Sequence, residues 1–473
     1  MNAPEHDPAG PAPLGPDSPD LALPTVPPRE VGVDARGVST FLDAIGAADD
    51  LELHSLVLVR HGQVCARGWW DPYTPADQTL LYSLSKSFTS TAFGFAVAEG
   101  RLALTDRVVD RLAPRGGVGP RTASLTLRDL AAMATGHHAD TLERARAADP
   151  DDLARGLLAV EPESDPGTVF AYNNPATHTL GAVVQEVTGQ TLTAYLRPRL
   201  FDPLGIEPGW WDQHPEGRDI GFTGFHLTTE ALARFGQLYL AGGAYAGRQV
   251  LPEGWAEVAL AEHTPNPAEP NPDWRQGYGF QFWRGRHGTV RGDGAFGQFV
   301  VLLPDQDAVL VLTGATENMQ GVLDAAWTHL LPALDRAGTA ADDAALAERL
   351  DRLGLDPDRG LPTTPQAGTP LEVAGVEETA DGWLLRLVED GRELAVEVGA
   401  DDWRRSDVAV APGWGALVAA RGLTDGEHLV ADVVLVESPH RLRVRTGPGG
   451  SVVTWHTAPL ASPTVRTLAT PRG

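Results

Sequence analysis

Two residues with the types and spacing needed for nucleophilic catalysis lie close together in the first quarter of the chain. Lys86 is the only lysine in the chain, and all other long basic side chains are arginine. Ser83 precedes Lys86 by three positions. Arginine stays protonated at any accessible pH, whereas a desolvated lysine can lose its proton near neutrality. A serine and a lysine at this spacing share one face of a helix. The pair therefore predicts a serine nucleophile and a lysine that can accept its proton.

The surrounding sequence predicts a helix that begins near Ser83 and ends at Gly100. The first turn of a helix carries unpaired N–H groups and the positive end of the helix dipole, which favour an anionic tetrahedral intermediate. The serines at positions Ser85, Ser87 and Ser90 have no lysine at the same offset. The register therefore selects Ser83. The alternative is a capping serine followed by a solvated lysine.

A second polar group, Tyr172-Asn173-Asn174, is predicted on a loop before a helical segment. A nearby lysine cation could hold the tyrosine partly deprotonated, so that it carries protons to and from the serine and the leaving group. Asn174 could bind a substrate carbonyl or hold the lysine. The triplet alone is equally typical of a core tyrosine beside a turn asparagine.

Composition limits the classes of partner and chemistry. The 473 residues are 42% hydrophobic and 21% charged, which allows a large core and two or three domains. There are 63 acidic against 37 basic residues, a formal net charge of -26, and no basic stripe. Nucleic acid and membrane surfaces are therefore not expected as partners. Cys65 is the single cysteine, which excludes an internal disulfide, and it is predicted in the core.

The first residues show no targeting signal. Residues 1–28 are rich in Pro, Asp, Ala and Gly and lack the basic start and apolar run of a signal peptide. No segment approaches the ~20 apolar residues that span a bilayer. We expect a disordered leader over 1–28 and a cytoplasmic protein.

Apolar periodicity predicts a sheet flanked by helices, in an α/β (α+β) fold. The predicted elements are a helix over 33–47, a hairpin over 55–70, strands over 277–284, 288–291, 298–303 and 308–313, and a helix over 319–334. Residues 105–228 are mostly helical, so an antiparallel sheet with an inserted all-helical domain would occupy 29–335. The active site would lie in the cleft between them.

The remaining residues are predicted to form a helix and linker over 336–368 and a separate β domain over 369–473. The short, evenly spaced strands of the second segment are typical of a small barrel or sandwich.

Two further pairs of side chains allow both a functional and a structural explanation. Trp210 and Trp211 could form the wall of an acyl pocket or pack within a loop. His137 and His138 suit a helix C-terminus, and with no further ligand at metal-binding spacing we expect no metal there.

The serine and tyrosine motifs, with a glycine-rich strand after them, resemble the serine β-lactamase and penicillin-binding protein superfamily. The resemblance covers about residues 30–335, is nearest to the class C-like branch, and is reinforced by residues 127–136 and 235–243. The run Gly294-Ala295-Phe296-Gly297-Gln298 resembles most the 6-aminohexanoate-dimer hydrolases and related esterases.

This resemblance implies a role for each matching position. Ser83 would be the acylated nucleophile and Lys86 its base or the cation that tunes it. Tyr172 would carry protons in acylation and deacylation, and Asn174 would hydrogen-bond the substrate. The backbone N–H groups of Ser83 and Ala295 would form the oxyanion hole, with Gly294 beside them among the substrate-binding positions.

The third motif departs from the antibiotic-binding branches. Where those carry Lys-Thr-Gly or His-Thr-Gly, this chain has Arg291-Gly292-Asp293-Gly294, so recognition of penicillin is not expected. Arg291 could anchor a substrate carboxylate by bidentate pairing or be an exposed arginine at a strand end. Asp293 could contact a substrate amine or cap the turn. We favour the second explanation for both.

The sequence thus predicts a serine hydrolase that cleaves an ester or amide bond of a small molecule through an acyl-enzyme, without a metal or organic cofactor. A β-lactamase or D-amino-acid peptidase is the alternative within this class. A non-catalytic binding or regulatory protein on the same scaffold is the alternative from another class. The substrate, the oligomeric state and the role of the C-terminal domain are left open.

Overall fold

The computed structural model describes residues 21–355 and 370–472. Most of the predicted leader, and much of the predicted linker after residue 336, lie outside the described residues. The end of the predicted leader is packed, however, since Leu21 is buried in the core and the Val26 N–H donates to the Val64 carbonyl at 3.0 Å. The prediction that the disordered leader extends to residue 28 is therefore wrong for residues 21–28.

An antiparallel sheet forms the centre of the first domain, as predicted. The strands of this domain are β1 (Leu53–Arg60), β2 (Gln63–Trp69), β3 (Thr79–Leu80), β4 (His226–Leu227), β5 (Ala244–Tyr245), β6 (Arg248–Gln249), β7 (Trp283–Arg284), β8 (Val290–Gly294), β9 (Gln298–Leu303) and β10 (Ala308–Gly314). The sheet has the order β2-β1-β10-β9-β8-β7, and β3 pairs separately with β4. The hairpin β1–β2 and the meander β8–β9–β10 are the locally encoded parts of this sheet.

Helices cover both faces of the sheet and form the insertion. They are α1 (Ala35–Ala47), α2 (Ser85–Ala98), α3 (Val108–Arg111), α4 (Pro120–Ser124), α5 (Leu127–Ala131), α6 (Leu142–Ala148), α7 (Leu153–Leu158), α8 (Asn174–Thr188), α9 (Leu192–Leu196), α10 (Asp202–Leu204), α11 (Thr229–Leu240), α12 (Trp255–Leu260), α13 (Met319–Ala325) and α14 (Ala340–Leu350). The predicted all-helical insertion corresponds to α3–α10. Among the described residues, no helix is long and apolar enough to cross a membrane.

The central strands are buried on both faces because their alternate side chains enter two different cores. On β1, Leu56 and Leu58 pack with α1, α13 and α14, whereas Val57 and Val59 pack with α2 and α11. A strand covered by helices on both faces shows a continuous apolar run rather than a polar–apolar alternation. This sandwiched position fixes α2, which carries Lys86, against the sheet.

The C-terminal domain is a single curled sheet, which confirms the predicted all-β fold. Its strands are β11 (Glu372–Thr379), β12 (Gly382–Glu389), β13 (Arg392–Gly399), β14 (Arg404–Ala411), β15 (Trp414–Thr424), β16 (Leu429–Leu435), β17 (Arg441–Gly447), β18 (Gly450–Thr457) and β19 (Thr470–Pro471). They run in the order β11-β12-β13-β15-β16-β17-β18, with β14 and β19 pairing to β15. The core inside this sheet also contains Leu80, Tyr82 and Phe296 of the first domain. The two domains therefore share a core beside the predicted nucleophile.

Candidate active site

Ser83 lies in a tight turn rather than in the predicted α-helix. Residues Tyr82–Leu84 form a 3-10 turn, and α2 begins at Ser85. The preceding residue, Tyr82, has a positive φ of 48°, a conformation that non-glycine residues adopt only when their surroundings hold it. The Lys86 Nζ lies 2.9 Å from the Ser83 Oγ. The spacing of serine and lysine thus brings the two groups into contact across the start of the helix.

The Lys86 amine is almost completely buried, with 1% of the residue exposed. Its second partner is the Phe222 backbone carbonyl, which accepts a hydrogen bond from Nζ at 3.0 Å. Burial lowers the pKa of Lys86 to about 7, although the charges of Asp140 and Asp293 act to raise it. Desolvation disfavours the charged amine more than these carboxylates stabilise it. A large fraction of the amine is therefore neutral at physiological pH and able to accept a proton.

Tyr172 lies beside the same pair and shares a hydrogen bond with Ser83. Its ring centroid is 4.7 Å from the Lys86 Nζ, and the ring stacks on Trp283 at 5.2 Å. Burial raises the pKa of Tyr172, and the charge of Asp293 raises it further. This raised pKa favours a protonated phenol over the expected partly deprotonated tyrosine, because burial disfavours the phenolate. The phenol is a proton donor at neutral pH.

Asn174 is the first residue of α8. Its Nδ2 donates to the Asp140 Oδ2 at 2.6 Å. The neighbouring Asn173 is buried, and its Oδ1 accepts from the Thr141 backbone N–H and hydroxyl. Asn173 therefore anchors the loop, and the substrate-binding role of Asn174 stays a prediction. The lysine is held by the carbonyl of Phe222 instead, a contact that leaves no side-chain signal in the sequence.

Two glycines allow β8 to pack directly against the nucleophile turn. A Cβ atom at Gly294 would lie 2.0 Å from the Leu81 carbonyl oxygen, and one at Gly292 would lie 2.4 Å from a Leu84 methyl carbon. These alternate positions face the same side of the strand. Only glycine permits so close an approach. Ala295, the next residue, is thereby brought beside the turn that holds Ser83.

Arg291 is fully buried, so the interpretation of an exposed strand-end arginine is wrong. Its Nη1 donates to the Asp273 carbonyl at 2.9 Å, and its Nε donates to the Asp293 Oδ2 at 3.1 Å. The guanidinium also stacks over the Trp274 ring at 4.4 Å. Asp293 lies within β8 and accepts from Arg291, so it does not cap a turn. The sequence did not show this burial because Asp273 and Trp274 come from a distant loop. Their roles toward a substrate stay predictions.

The tryptophan pair packs within the protein. Trp211 is buried and stacks on Phe225 at 4.4 Å, and Trp210 meets Trp414 of the C-terminal sheet edge-on at 5.4 Å. This arrangement favours loop packing over a wall of the acyl pocket.

Cys65 is buried, as predicted, and burial raises the pKa of its thiol to about 12. His137 is also buried, where its ring bonds to the Thr135 hydroxyl and the Val160 carbonyl. Within residues 21–355 and 370–472, no group of three or more His, Cys, Asp or Glu side chains is arranged to hold a metal ion.

The sequence and the fold of this chain are similar to those of known proteins. Residues 38–335 match the sequence model of the Beta-lactamase family. The 6-aminohexanoate-dimer hydrolase of Paenarthrobacter ureafaciens is 27% identical over 281 residues, which cover 54% of this chain and 71% of that protein. The family match includes the segments that carry Ser83, Lys86 and Tyr172.

Two solved structures share the fold across both domains. The octameric penicillin-binding protein homologue from Pyrococcus abyssi has a TM-score of 0.50 and 15% identity, covering 89% of this chain and 99% of that chain. The structure of SurE with D-Leu has a TM-score of 0.51 and 20% identity, covering 89% and 98%. The family match extends over more than half of this chain. The chain therefore belongs to the β-lactamase family, whose members are serine hydrolases.

Proposed function

We propose that this protein hydrolyses an ester or amide bond of a small molecule through an acyl-enzyme formed on Ser83. The observation that carries the proposal is the 2.9 Å contact between Ser83 Oγ and a Lys86 amine whose pKa is lowered to about 7. A base with a pKa close to the working pH combines a large neutral fraction with a useful proton affinity. The likeness to a 6-aminohexanoate-dimer hydrolase supports a small-molecule substrate.

In acylation, the Ser83 Oγ attacks the substrate carbonyl carbon while its proton passes to the neutral Lys86 Nζ. The carbonyl π electrons move to oxygen, and the N–H groups of Ser83 and Ala295 stabilise the oxyanion. When the tetrahedral intermediate collapses, the bond to the leaving group breaks. The leaving group takes a proton that Lys86 returns through the Tyr172 hydroxyl, which is protonated at neutral pH because burial raises its pKa.

In deacylation, water attacks the acyl carbonyl along the reverse path. Its proton passes through Tyr172 to Lys86, and the same oxyanion hole holds the second intermediate. The bond between the acyl group and the Ser83 Oγ then breaks, and the serine regains its proton. The products are a carboxylic acid and the unchanged enzyme.

Hydrolysis of p-nitrophenyl butyrate by the wild type and by Ser83→Ala tests this proposal. We expect release of p-nitrophenol by the wild type and none above background by the variant. Ser90→Ala is the matched control, because Ser90 is buried in α2, the helix that carries Lys86, and its hydroxyl has no hydrogen-bond partner among the described residues. The control should keep full activity.

The competing functions predict other results. Turnover of nitrocefin, measured in parallel, would point to a β-lactamase instead. A wild type that hydrolyses neither compound and forms no covalent adduct with a fluorophosphonate would favour a non-catalytic binding protein and refute the proposal.

A further inference from the structure

The residues adjoining the two oxyanion-hole donors are both held in unusual backbone conformations. Tyr82 immediately precedes Ser83 and has a φ of 48°, and Phe296 immediately follows Ala295 and has a φ of 66°. A non-glycine residue with positive φ costs free energy and persists only where its surroundings hold it in place. The Ser83 N–H belongs to the peptide that joins Tyr82 to Ser83, so the backbone angles of Tyr82 orient it, whereas Phe296 holds the chain directly after the Ala295 donor.

The side chains of both residues dock into the C-terminal domain against one histidine. The Tyr82 hydroxyl lies 2.5 Å from the Nε2 of His440. The Phe296 ring meets the Tyr82 ring at 5.4 Å and the His440 ring at 5.2 Å, edge-to-face in both cases. His440 is 0% exposed. A residue of the last part of the chain therefore contacts both flanks of the oxyanion hole.

The protonation state of His440 is fixed by its other contact. Its Nδ1 lies 2.8 Å from the Thr457 carbonyl oxygen, which can only accept, so Nδ1 carries the proton. Burial lowers the pKa of His440 to about 3, so the ring is neutral at physiological pH. Nε2 is then an acceptor, and the Tyr82 hydroxyl donates to it. The hydrogen bond therefore runs from the Tyr82 hydroxyl to the His440 Nε2. Reversing it would require the ring to give up the Nδ1 proton that it donates to the Thr457 carbonyl.

Further hydrogen bonds to backbone atoms join the first domain to the C-terminal domain near these residues. The Leu80 N–H donates to the Glu437 carbonyl at 2.9 Å, just before the nucleophile turn. The Thr457 hydroxyl donates to the carbonyl of Ala315, the residue after β10, at 3.4 Å, and the N–H of the next residue, Thr316, donates to the Phe296 carbonyl at 3.1 Å. His440 is therefore part of a continuous interface and not an isolated contact.

We propose that His440 positions the oxyanion hole through Tyr82 and Phe296, so that the C-terminal domain is a working part of the active site. This inference rests on the proposed function, because an oxyanion hole matters only to an enzyme that forms a tetrahedral intermediate. His440 does not touch the substrate and acts only through the two aromatic residues. Its loss should therefore reduce kcat and leave KM nearly unchanged.

Tyr82→Phe removes the hydroxyl and keeps the ring. We expect kcat for p-nitrophenyl butyrate to fall by about 10-fold to 100-fold, with KM within about threefold of the wild type, because small displacements of oxyanion donors cost this much. The matched control is Tyr73→Phe. The Tyr73 hydroxyl lies 3.3 Å from the His54 Nε2 at the same domain interface, away from the oxyanion hole. The Tyr73→Phe variant should have a lower melting temperature than the wild type and an unchanged kcat.

His440→Leu and the double variant test whether the effect passes through one bond. If Tyr82 acts through His440, the double variant Tyr82→Phe/His440→Leu should be no slower than His440→Leu alone. His440→Gln keeps an acceptor near the Nε2 position and should recover part of the lost kcat. Independent, multiplying losses would contradict the proposal.

Amide hydrogen exchange separates failure of this inference from failure of the proposed function. Peptides that cover residues 81–85 and 294–298 should exchange faster in Tyr82→Phe than in the wild type and in Tyr73→Phe. If the wild type hydrolyses no ester, the proposed function fails, and the exchange rates still decide whether His440 holds these segments. If the wild type is active and Tyr82→Phe retains its kcat and its slow exchange, the positioning role is refuted while the hydrolase proposal stands.

Discussion

Replacing Lys86 by methionine should change the stability of this protein by an amount that varies with pH in a defined way. The pKa of Lys86 is lowered from 10.5 to about 7 by burial. Between these values the unfolded chain binds a proton that the folded chain does not. The free energy of unfolding of the wild type therefore rises by about 1.36 kcal/mol for each pH unit across this window. Methionine fills a similar volume and binds no proton.

The size of the effect follows from the same two pKa values. Burying the ionisable amine of Lys86 costs the wild type about 4 kcal/mol of stability at pH 7 and about 2 kcal/mol at pH 9, and the cost is nearly constant below pH 7 because the folded and unfolded chains then both bind the proton. The hydrogen bonds of Nζ to Ser83 and to the Phe222 carbonyl oppose this cost by about 1 kcal/mol each and do not vary with pH. Lys86→Met should therefore be more stable than the wild type at pH 7 by about 2 kcal/mol.

Urea unfolding followed by tryptophan fluorescence at pH 6, 7, 8 and 9 measures this difference. The advantage of Lys86→Met should shrink by about 2 kcal/mol from pH 7 to pH 9 and change little from pH 6 to pH 7. Arg107→Met is the control, since Arg107 is exposed and its guanidinium stays charged throughout, so its difference from the wild type should be constant. A constant difference for Lys86→Met as well would mean that the folded protein keeps the ammonium, which would refute Lys86 as the base.

Two further changes test the electrostatics and the packing of the site. Asp140→Asn removes a charge that raises the pKa of Lys86, so the acid limb of the kcat/KM profile for p-nitrophenyl butyrate should move to lower pH; a move to higher pH would contradict the assigned direction. Gly294→Ala places a Cβ atom 2.0 Å from the Leu81 carbonyl oxygen, and we expect kcat to fall about 100-fold as β8 is pushed from the nucleophile turn. In Gly375→Ala, where the added Cβ meets nothing within 4 Å, activity should be unchanged, and equal losses in both variants would count against the packing argument.

The central sheet was predictable because its signals are local. The predicted strands over 298–303 and 308–313 correspond to β9 and β10 almost residue for residue, and the predicted hairpin corresponds to β1 and β2. Each of these strands is a short apolar run bounded by turn residues, and this local pattern is typical of a buried strand. The contact of Ser83 with Lys86 was predictable for the same reason, since three residues separate them on one turn.

The exact backbone of the nucleophile was not predictable from the same local pattern. A helix starting at Ser83 satisfies periodicity as well as the 3-10 turn that is observed. What decides between them is the close approach of β8 at Gly292 and Gly294, which comes from more than two hundred positions further along the chain. Tertiary packing of this kind overrides local propensity. Arg291 was misjudged for a related reason, because its burial depends on a loop that no short-range signal connects to β8.

The contact between Tyr82 and His440 could not be predicted from the sequence, since 358 positions separate the two residues. The sequence predicts a linker over 336–368 between an α/β unit and a β unit, yet α14 within it packs in the core of the first domain. The two units are not independent either, because Tyr82 and Phe296, which adjoin the proposed oxyanion donors, are buried in the core of the C-terminal sheet. A residue such as His440, with no catalytic neighbour in sequence, becomes interpretable only once its partners are known. For this chain the unit that folds around the nucleophile therefore includes strands from both ends of the described sequence.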